Sequence, residues 1–307
     1  MIQYSRFKGY IMALSGAALW GISGNVAQEL FQNEGFRPGW LVTIRMLLAG
    51  VLLLLFASIK SKEKHKVWTI WSDRKERISL ILFGIFGMLG VQYSYFMSIN
   101  YGNAATATLL QYLAPIFIIV YLAIKIRKIP SKKEMIAVFL AILGTFFLVT
   151  NGTVDKLTIS FSAIYWGLGS AIALAFYTIF PKSLLKRWGS FIVVGWGMII
   201  GGIGLSFINP PWKIDGQNWS LITALYIGFV VIFGTLIAFY LYIDSLRYIS
   251  PTEASLLGSA EPLSATIVTI IWMHVTLGSF EIIGGVCIIG TVLILTLGSN
   301  RENKKLN

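Results

Sequence analysis

Two charged side chains stand inside long apolar stretches of this sequence, where charge is costly and tends to serve function. Glu261 lies about ten residues into the stretch 252–273, and Arg45 lies about six residues into the stretch 39–59. A carboxylate this far from either end needs a cation, a proton or water beside it. Glu261 therefore predicts either a site for a positively charged group or a carrier of protons.

Arg45 is a less specific signal than Glu261. About six residues of helix correspond to ~9 Å, which a long arginine side chain can span to reach the membrane surface. Structural anchoring and a position beside the substrate path are both compatible with this location. For Glu261, the structural alternative is a fixed hydrogen bond between helices or an ion pair with Arg45.

The other acidic residues have structural explanations. Segments 131–134 and 250–253 read Ser-x-x-Glu, the spacing of a capping box at a helix start. Asp244 lies three residues before Arg247, close enough for a local pair on a helix. The remainder fall in predicted loops, in the tail or near helix ends: Glu29, Glu34, Glu63, Asp73, Glu76, Asp155, Asp215, Glu281 and Glu302. Glu261 is the acid that this elimination leaves.

Uncharged polar residues recur at helical spacing along three of the apolar stretches. The stripes are Gly21, Asn25 and Gln28; Met88, Gln92 and Tyr95; and Thr108, Gln111 and Pro115. Such half-polar faces are expected to turn away from lipid. Hydrogen bonds between helices, typically ~1 kcal/mol each in membranes, explain Gln92 and Gln111 as well as cavity lining does. For Asn25, cavity lining is the favoured interpretation.

Deep aromatic residues and two prolines complete the candidate site. Pro115 and Pro262 each remove a backbone donor and free a carbonyl in mid-membrane, so we predict helix breaks there. We expect a central cavity to be surrounded by helices one, three, four, six, eight and nine, which are the stretches 10–30, 78–97, 104–124, 161–180, 221–243 and 252–273. Its aromatic walls, able to hold an apolar or cationic group, are predicted to be Trp20, Tyr95, Tyr177 and Tyr242.

The elements that hold these residues follow from composition. Apolar residues make up 56% of the 307 residues and charged residues 12%, so the bilayer must be the main solvent. A helix needs ~20 mostly apolar residues to cross it. The stretches that approximate this are 10–30, 39–59, 78–97, 104–124, 135–149, 161–180, 190–208, 221–243, 252–273 and 280–298. The prediction is an all-α integral membrane protein with ten transmembrane helices.

The basic residues are divided unequally between the two sides of this arrangement. Of 25 Lys and Arg residues, 21 fall on the side of the two chain ends, 3 on the other side, and Arg45 within a helix. The positive-inside rule then predicts that both termini are cytoplasmic. The net charge of +12 follows from this topology, and we expect no nucleic-acid partner.

The chain repeats itself at an offset of 147 residues. Tyr93, Tyr95, Ser98, Tyr101, Ala107, Leu109, Leu110 and Pro115 align with Tyr240, Tyr242, Ser245, Tyr248, Ala254, Leu256, Leu257 and Pro262. We predict a first repeat over residues 1–150, a second over 151–300 and a cytoplasmic tail over 301–307. Because five helices per repeat is an odd number, the halves enter the membrane in opposite orientations. Inverted repeats suit alternating access around a midplane site.

The sequence resembles the drug/metabolite transporter superfamily, in its branch with two EamA-type repeats and ten helices. The resemblance covers nearly the whole chain and rests on Leu19-Trp20-Gly21, Arg45, the Asn-Ala-Ala-Thr-Ala-Thr segment 103–108, and Glu261-Pro262. The pattern is similar to that of exporters of amino acids, amines or carboxylates. This resemblance implies efflux of a small molecule across the cytoplasmic membrane of a bacterium, without identifying the substrate.

Other classes of function fit the residues less well. His65 and His274 lie at a loop and a helix end without a catalytic motif, so we expect no enzyme, no metal and no cofactor. The single cysteine, Cys287, excludes a disulfide within the chain. A lipid or lipid-carrier flippase is the alternative, which a basic inner cavity would favour. Proton coupling and a homodimer are both compatible with the sequence.

Overall fold

The computed structural model describes residues 2–60, 66–127, 129–152, 158–214, 216–249 and 251–303, and in these ranges the chain forms helices without a β-strand. The predictions for Glu63, His65, Asp155, Asp215, the Ser250 cap and residues 304–307 of the tail lie outside the described residues. The long helices of the first half are α1 (Ile2–Gln32), α2 (Pro38–Lys60), α3 (Arg74–Tyr101), α4 (Ala104–Gln111 and Ala114–Ile126) and α5 (Lys132–Thr150).

The second half also has a succession of five long helices. Its long helices are α6 (Phe161–Ile179), α7 (Ser190–Ser206), α8 (Leu221–Val231, Ile232–Ile237 and Ala238–Ser245), α9 (Pro251–Gly258 and Ala260–Ile271) and α10 (Ser279–Asn303). Short helices Lys66–Thr69 and Lys182–Trp188 precede α3 and α7. Each predicted span falls on one of the helices α1 to α10.

Six of the described helices are long and apolar enough to cross a membrane: Pro38–Ile59, Arg74–Tyr101, Ala104–Lys125, Lys132–Thr150, Phe161–Ile179 and Leu221–Tyr242. Shorter apolar helices are Ser190–Ser206, Ala260–Ile271 and Ser279–Leu295. The outward faces of these helices carry many exposed large apolar side chains, such as Leu55, Phe139 and Leu225. Soluble proteins rarely expose this much contiguous apolar surface to water. The chain is a multi-span membrane protein.

The helices are interrupted at matching positions in the two halves. A π-helical segment, Phe83–Leu89, lies within α3, and another, Ile232–Ile237, lies within α8. The predicted proline breaks are present: α4 is interrupted between Gln111 and Ala114, and α9 between Gly258 and Ala260. Each proline lies in the first turn after the break, where its missing N–H leaves the carbonyl four residues earlier without its helical partner.

The contacts between the long helices follow the same pattern in the two halves. α2 packs on α7 and α5 packs on α10, so corresponding helices meet each other. α1 packs on α8 and α9, and α6 packs on α3 and α4, which is the same contact with the halves exchanged. Glycines permit close approach at the first kind of contact, because a Cβ on Gly50 would lie 3.0 Å from the Gly195 carbonyl oxygen.

The predicted helix caps are confirmed where both partners are described. Ser131 and Glu134 form a capping box at the start of α5. The backbone N–H of Gly278 donates to the Glu281 carboxylate over 2.7 Å, at the matching position before α10. Asp73 caps α3, and backbone N–H groups of Glu76 and Lys75 hold the pKa of its carboxyl below the usual range. These acids are structural.

Candidate functional site

A cavity of about 590 Å³ lies among the helices of both halves. Five helices supply its central wall, namely α1, α3, α4, α8 and α9, and α6 adds Leu174, Tyr177 and Thr178. These are the six helices predicted to surround it. α2, α7 and α10 also contribute, through Arg45, Val194 and Val292, which the polar stripes did not indicate because each supplies few wall residues.

Most of the predicted site residues meet at this cavity. The wall includes Trp20, Arg45, Gln92, Tyr95, Gln111, Pro115, Tyr177, Tyr242 and Glu261. They come from seven different helices. The structure thus brings the lone buried acid and the lone buried base of the sequence prediction to the same cavity.

Glu261 is held by a tyrosine that sequence reasoning missed. The Tyr112 hydroxyl lies 3.2 Å from Oε2 of Glu261 and 2.7 Å from the carbonyl oxygen of Gly258. That carbonyl is the one that Pro262, four residues later, cannot satisfy. Because one hydroxyl hydrogen faces two acceptors, Tyr112 cannot fully satisfy both at once. The Glu261 carboxylate therefore retains capacity for a cation or a proton.

Arg45 does not extend to the membrane surface. Its residue is 6% exposed, and its guanidinium carbon lies 4.9 Å from the centre of the Phe96 ring. Among the described residues it forms no ion pair with Glu261 within 4 Å, and its Nε has no hydrogen-bond partner. Glu261 is an acidic group within electrostatic reach of it. The structure therefore contradicts snorkelling, since the cation–π contact with Phe96 turns the side chain inward.

Tyr95 lies between the basic and acidic ends of the cavity. Its hydroxyl is 2.8 Å from Oγ1 of Thr108, and Thr108 donates its own hydrogen to the Ala104 carbonyl oxygen. Tyr95 must then be the donor, which leaves its oxygen available as an acceptor. Gln111, one turn after Thr108 on α4, also lines the wall, and its Nε2 has no partner among the described residues.

Aromatic rings also line the cavity. The Trp20 ring lies 5.1 Å from both Phe239 and Tyr242, measured between centroids. Tyr177 packs on Phe83 at 5.3 Å, within the π-helical segment of α3. Edge and tilted contacts of this kind fix the orientation of the rings. This wall can hold an apolar group or stack beneath a cation.

Two of the predicted site residues lie outside the cavity wall. Asn25 is fully buried between α1 and α9, where its side-chain amide donates to the Ala265 carbonyl oxygen over 3.0 Å and accepts from Thr269 over 2.7 Å. Its helical stripe was correct in facing inward, but α9 covers it. Pro262 is buried beside the break in α9 and contributes through the carbonyl that it frees.

The cavity reaches one side of the helix bundle. Leu185, Ser190 and Leu246, in or next to the loops on the side of the chain ends, line it. On the other side, Gln28 accepts from the backbone N–H of Ala104 over 2.8 Å, and Asn218 donates to Glu34 over 2.7 Å. These bonds tie α1 to α4 and the loop after α1 to the loop before α8. We infer from this lining and from these bonds that the bundle is open towards its termini and closed at the far side.

A bundle of apolar helices around an internal cavity that holds charged and polar side chains is typical of a membrane transporter. The chain belongs to the EamA-like transporter family, whose model matches residues 7–150 and 161–297. It is 34% identical over 297 residues to the uncharacterized inner membrane transporter YicL of Salmonella typhimurium, covering 96% of this chain and 97% of that protein. The resemblance to a drug/metabolite transporter is confirmed.

More distant similarities extend over most of the chain as well. The threonine/homoserine exporter RhtA of Salmonella typhimurium is 24% identical over 280 residues, covering 91% of this chain and 88% of that protein. A protein of known crystal structure superposes with a TM-score of 0.63 at 16% identity, covering 95% of this chain and 98% of that chain. The latter similarity concerns the fold alone.

Proposed function

We propose that this protein is a secondary transporter that exports small polar metabolites, such as amino acids or amines, by alternating access. The observation that carries the proposal is the cavity in which Glu261 and Arg45, from opposite halves, lie among uncharged polar and aromatic side chains. A site that is reached from one side and closed at the other is what a carrier needs in one of its two states.

The repeat supports the same mechanism. We place the boundary between the repeats after residue 150, with the first repeat over 1–150 and the second over 151–300. In such an arrangement, each half can adopt the conformation of the other, which closes the open side and opens the closed side. The export direction rests on the similarity to the threonine/homoserine exporter.

We further propose that both termini lie in the cytoplasm of a bacterial cell whose cytoplasmic membrane holds the protein. The unequal division of basic residues supports this orientation. The cavity would then face the cytoplasm, the side from which an exporter loads its substrate. A flippase is less well supported, because the cavity holds an acid as well as a base.

Counterflow in liposomes tests the proposal. Purified protein is reconstituted with unlabelled amino acids or amines inside, and uptake of the same labelled compound is followed over time. A carrier gives saturable uptake that rises above equilibrium and then falls, because internal substrate accelerates return of the loaded site. Uptake that never saturates would indicate a channel, and selective movement of labelled lipid between leaflets would indicate the flippase.

A further inference from the structure

Two buried hydrogen-bond donors in the cavity wall have no acceptor. Nε of Arg45 and Nε2 of Gln111 make no hydrogen bond with any described residue, and their residues are 6% and 7% exposed. A buried donor without an acceptor is costly, and more so when it carries charge. Two such donors on one wall are therefore the features by which a ligand with acceptor atoms would be held.

The two donors belong to one region of the wall. Arg45 lies over the Phe96 ring, whose centroid is 5.7 Å from that of Tyr95, and the Tyr95 hydroxyl donates to Thr108 over 2.8 Å. Gln111 lies three residues after Thr108 on the same helical segment, so its side chain projects from the same face. Tyr95 thus connects α2, through Arg45, with the face of α4 that carries Gln111.

The acid of the cavity does not neutralise this region directly. Glu261 lies beside Tyr112, the residue after Gln111, and forms no ion pair with Arg45 among the described residues. An arginine that stacks on an aromatic ring keeps its N–H edge available for an acceptor in the guanidinium plane. Phe96 fixes the Arg45 guanidinium in this manner. The arrangement suits a planar oxyanion, above all a carboxylate.

We propose that Arg45 and Gln111 form an anion subsite that binds a carboxylate of the transported molecule. The inference rests on the proposed function and narrows its substrate class to compounds that carry a carboxylate. Amines without a carboxylate are then not expected to be the preferred substrates. A zwitterion would bind with its carboxylate at Arg45 and Gln111 and its ammonium group towards Glu261. The apolar part of the molecule would then lie against Trp20 and Tyr242.

The test compares three compounds that share one apolar body. L-Phenylalanine carries both charged groups, 3-phenylpropanoate carries the carboxylate alone, and phenethylamine carries the amine alone. Their equilibrium binding is measured by calorimetry on purified protein and on Arg45→Met and Gln111→Leu. Arg37→Met serves as the matched control, because Arg37 is exposed at the start of the same helix as Arg45.

Wild-type protein and Arg37→Met should bind L-phenylalanine more tightly than phenethylamine. Arg45→Met should weaken binding of both carboxylated compounds by roughly tenfold to a hundredfold, the range of a charge-assisted hydrogen bond. Binding of phenethylamine should change by less than about threefold, since it lacks the acceptor. Gln111→Leu should also weaken binding of the two carboxylated compounds and not that of phenethylamine. The loss of affinity should be smaller than in Arg45→Met, because a neutral donor contributes less.

The inference is overturned if wild-type protein binds neither carboxylated compound, or if both variants weaken all three compounds equally. Gln111→Leu leaves the charge of the cavity unchanged and keeps the test valid if Arg45→Met does not fold. Binding in detergent requires no turnover, so failure of counterflow would refute the proposed function without affecting this test. Conversely, counterflow of phenethylamine without carboxylate selectivity would support transport and refute the anion subsite.

Discussion

At the scale of single residues, the chemistry of the cavity is concentrated where two interrupted helices meet. Pro262 leaves the Gly258 carbonyl without a helical donor, and Tyr112, at the break in α4, supplies the missing hydrogen bond. The same hydroxyl also faces Glu261. We therefore expect binding of a cation or a proton at Glu261 to alter the bond that joins α4 to α9, and so to couple substrate binding to helix geometry.

Glu261→Gln should abolish uphill transport and flatten its pH dependence. Gln keeps the shape and the contact with Tyr112 but can neither carry a proton nor neutralise an ammonium group. The titratable groups that face Glu261 are Arg45, Tyr112, Tyr95 and Tyr242, and all of them remain in the variant. The measurement is pH-dependent uptake of labelled substrate in liposomes with an imposed proton gradient.

The matched control for that experiment is Glu29→Gln. Glu29 lies on α1 outside the cavity wall and accepts a hydrogen bond from Asn33 over 2.7 Å. The control should transport at the wild-type rate. Normal uphill transport with the normal pH profile in Glu261→Gln would show that Glu261 is neither the coupling group nor the charge-recognition group.

Tyr112→Phe should slow transport while leaving the protein folded. The substitution removes the hydroxyl group, so the Gly258 carbonyl loses its donor and Glu261 loses a neighbour, typically at about 1 kcal/mol for a neutral hydrogen bond. The measurement is the counterflow rate together with thermal stability in detergent. Tyr165→Phe, at an exposed tyrosine on α6, is the control. A wild-type rate in Tyr112→Phe would contradict a coupling role for the hydroxyl.

Residue identity alone predicted part of this site. Glu261 and Arg45 were detectable because a charge inside an apolar stretch is rare. Tyr112 was not, because a tyrosine is compatible with lipid, packing or a cavity, and its role depends on a carbonyl freed 146 residues away. Asn25 was placed on the inward face correctly, but periodicity along one helix does not reveal which neighbouring helix covers that face.

At the scale of helices, four helices that line the cavity are interrupted: α4 and α9 by breaks, and α3 and α8 by π-helical segments. π-Helical turns leave backbone groups unusually arranged and occur often at functional sites. The segment in α3 contains Gly87 and the segment in α8 contains Gly234, which correspond in the repeat. Proline predicted the breaks in α4 and α9. The π-helical segments were not predictable, because they depend on packing against other helices.

Asn25 and Thr269 should act together as a latch between α1 and α9 on the closed side of the cavity. Their hydrogen bond of 2.7 Å is fully buried, and both residues lie farther from the termini than Glu261 does. In a double-mutant cycle with Asn25→Ala and Thr269→Ala, the coupling in thermal stability should be about 0.6 kcal/mol, the average for such bonds in membranes. Either variant should also favour opening at this side.

Thr145→Ala controls for loss of a threonine hydroxyl. Thr145 donates within its own helix to the Ala141 carbonyl, so it joins no pair of helices. It should show no coupling with Asn25→Ala. If the coupling between Asn25 and Thr269 is zero and both variants keep the wild-type balance of conformations, the pair is packing and not a latch.

At the scale of the whole molecule, the two sides of the bundle are held by different chemistry. On the side of the termini, the ion pairs Arg6 with Glu253 and Arg187 with Glu76 join helices at the membrane surface. Exposed pairs of this kind contribute little, typically ~0.2–1 kcal/mol each. The far side is closed by buried amide and backbone hydrogen bonds.

Labelling of single cysteines should establish which side the cavity faces. With Cys287 replaced by alanine, cysteine is introduced at Lys186, at Ile214 or at Thr178, which are exposed on the terminus side, exposed on the far side and in the cavity wall, respectively. A membrane-impermeant maleimide added to intact cells should label only the Ile214 position, because the basic residues on the terminus side are expected to remain in the cytoplasm. In inside-out vesicles the same reagent should label the Lys186 and Thr178 positions, and a transported substrate should protect Thr178 while leaving Lys186 reactive, since only Thr178 lines the cavity. Labelling of the Lys186 position from outside intact cells would reverse the orientation, and the cavity would then load from the outside, as an importer requires.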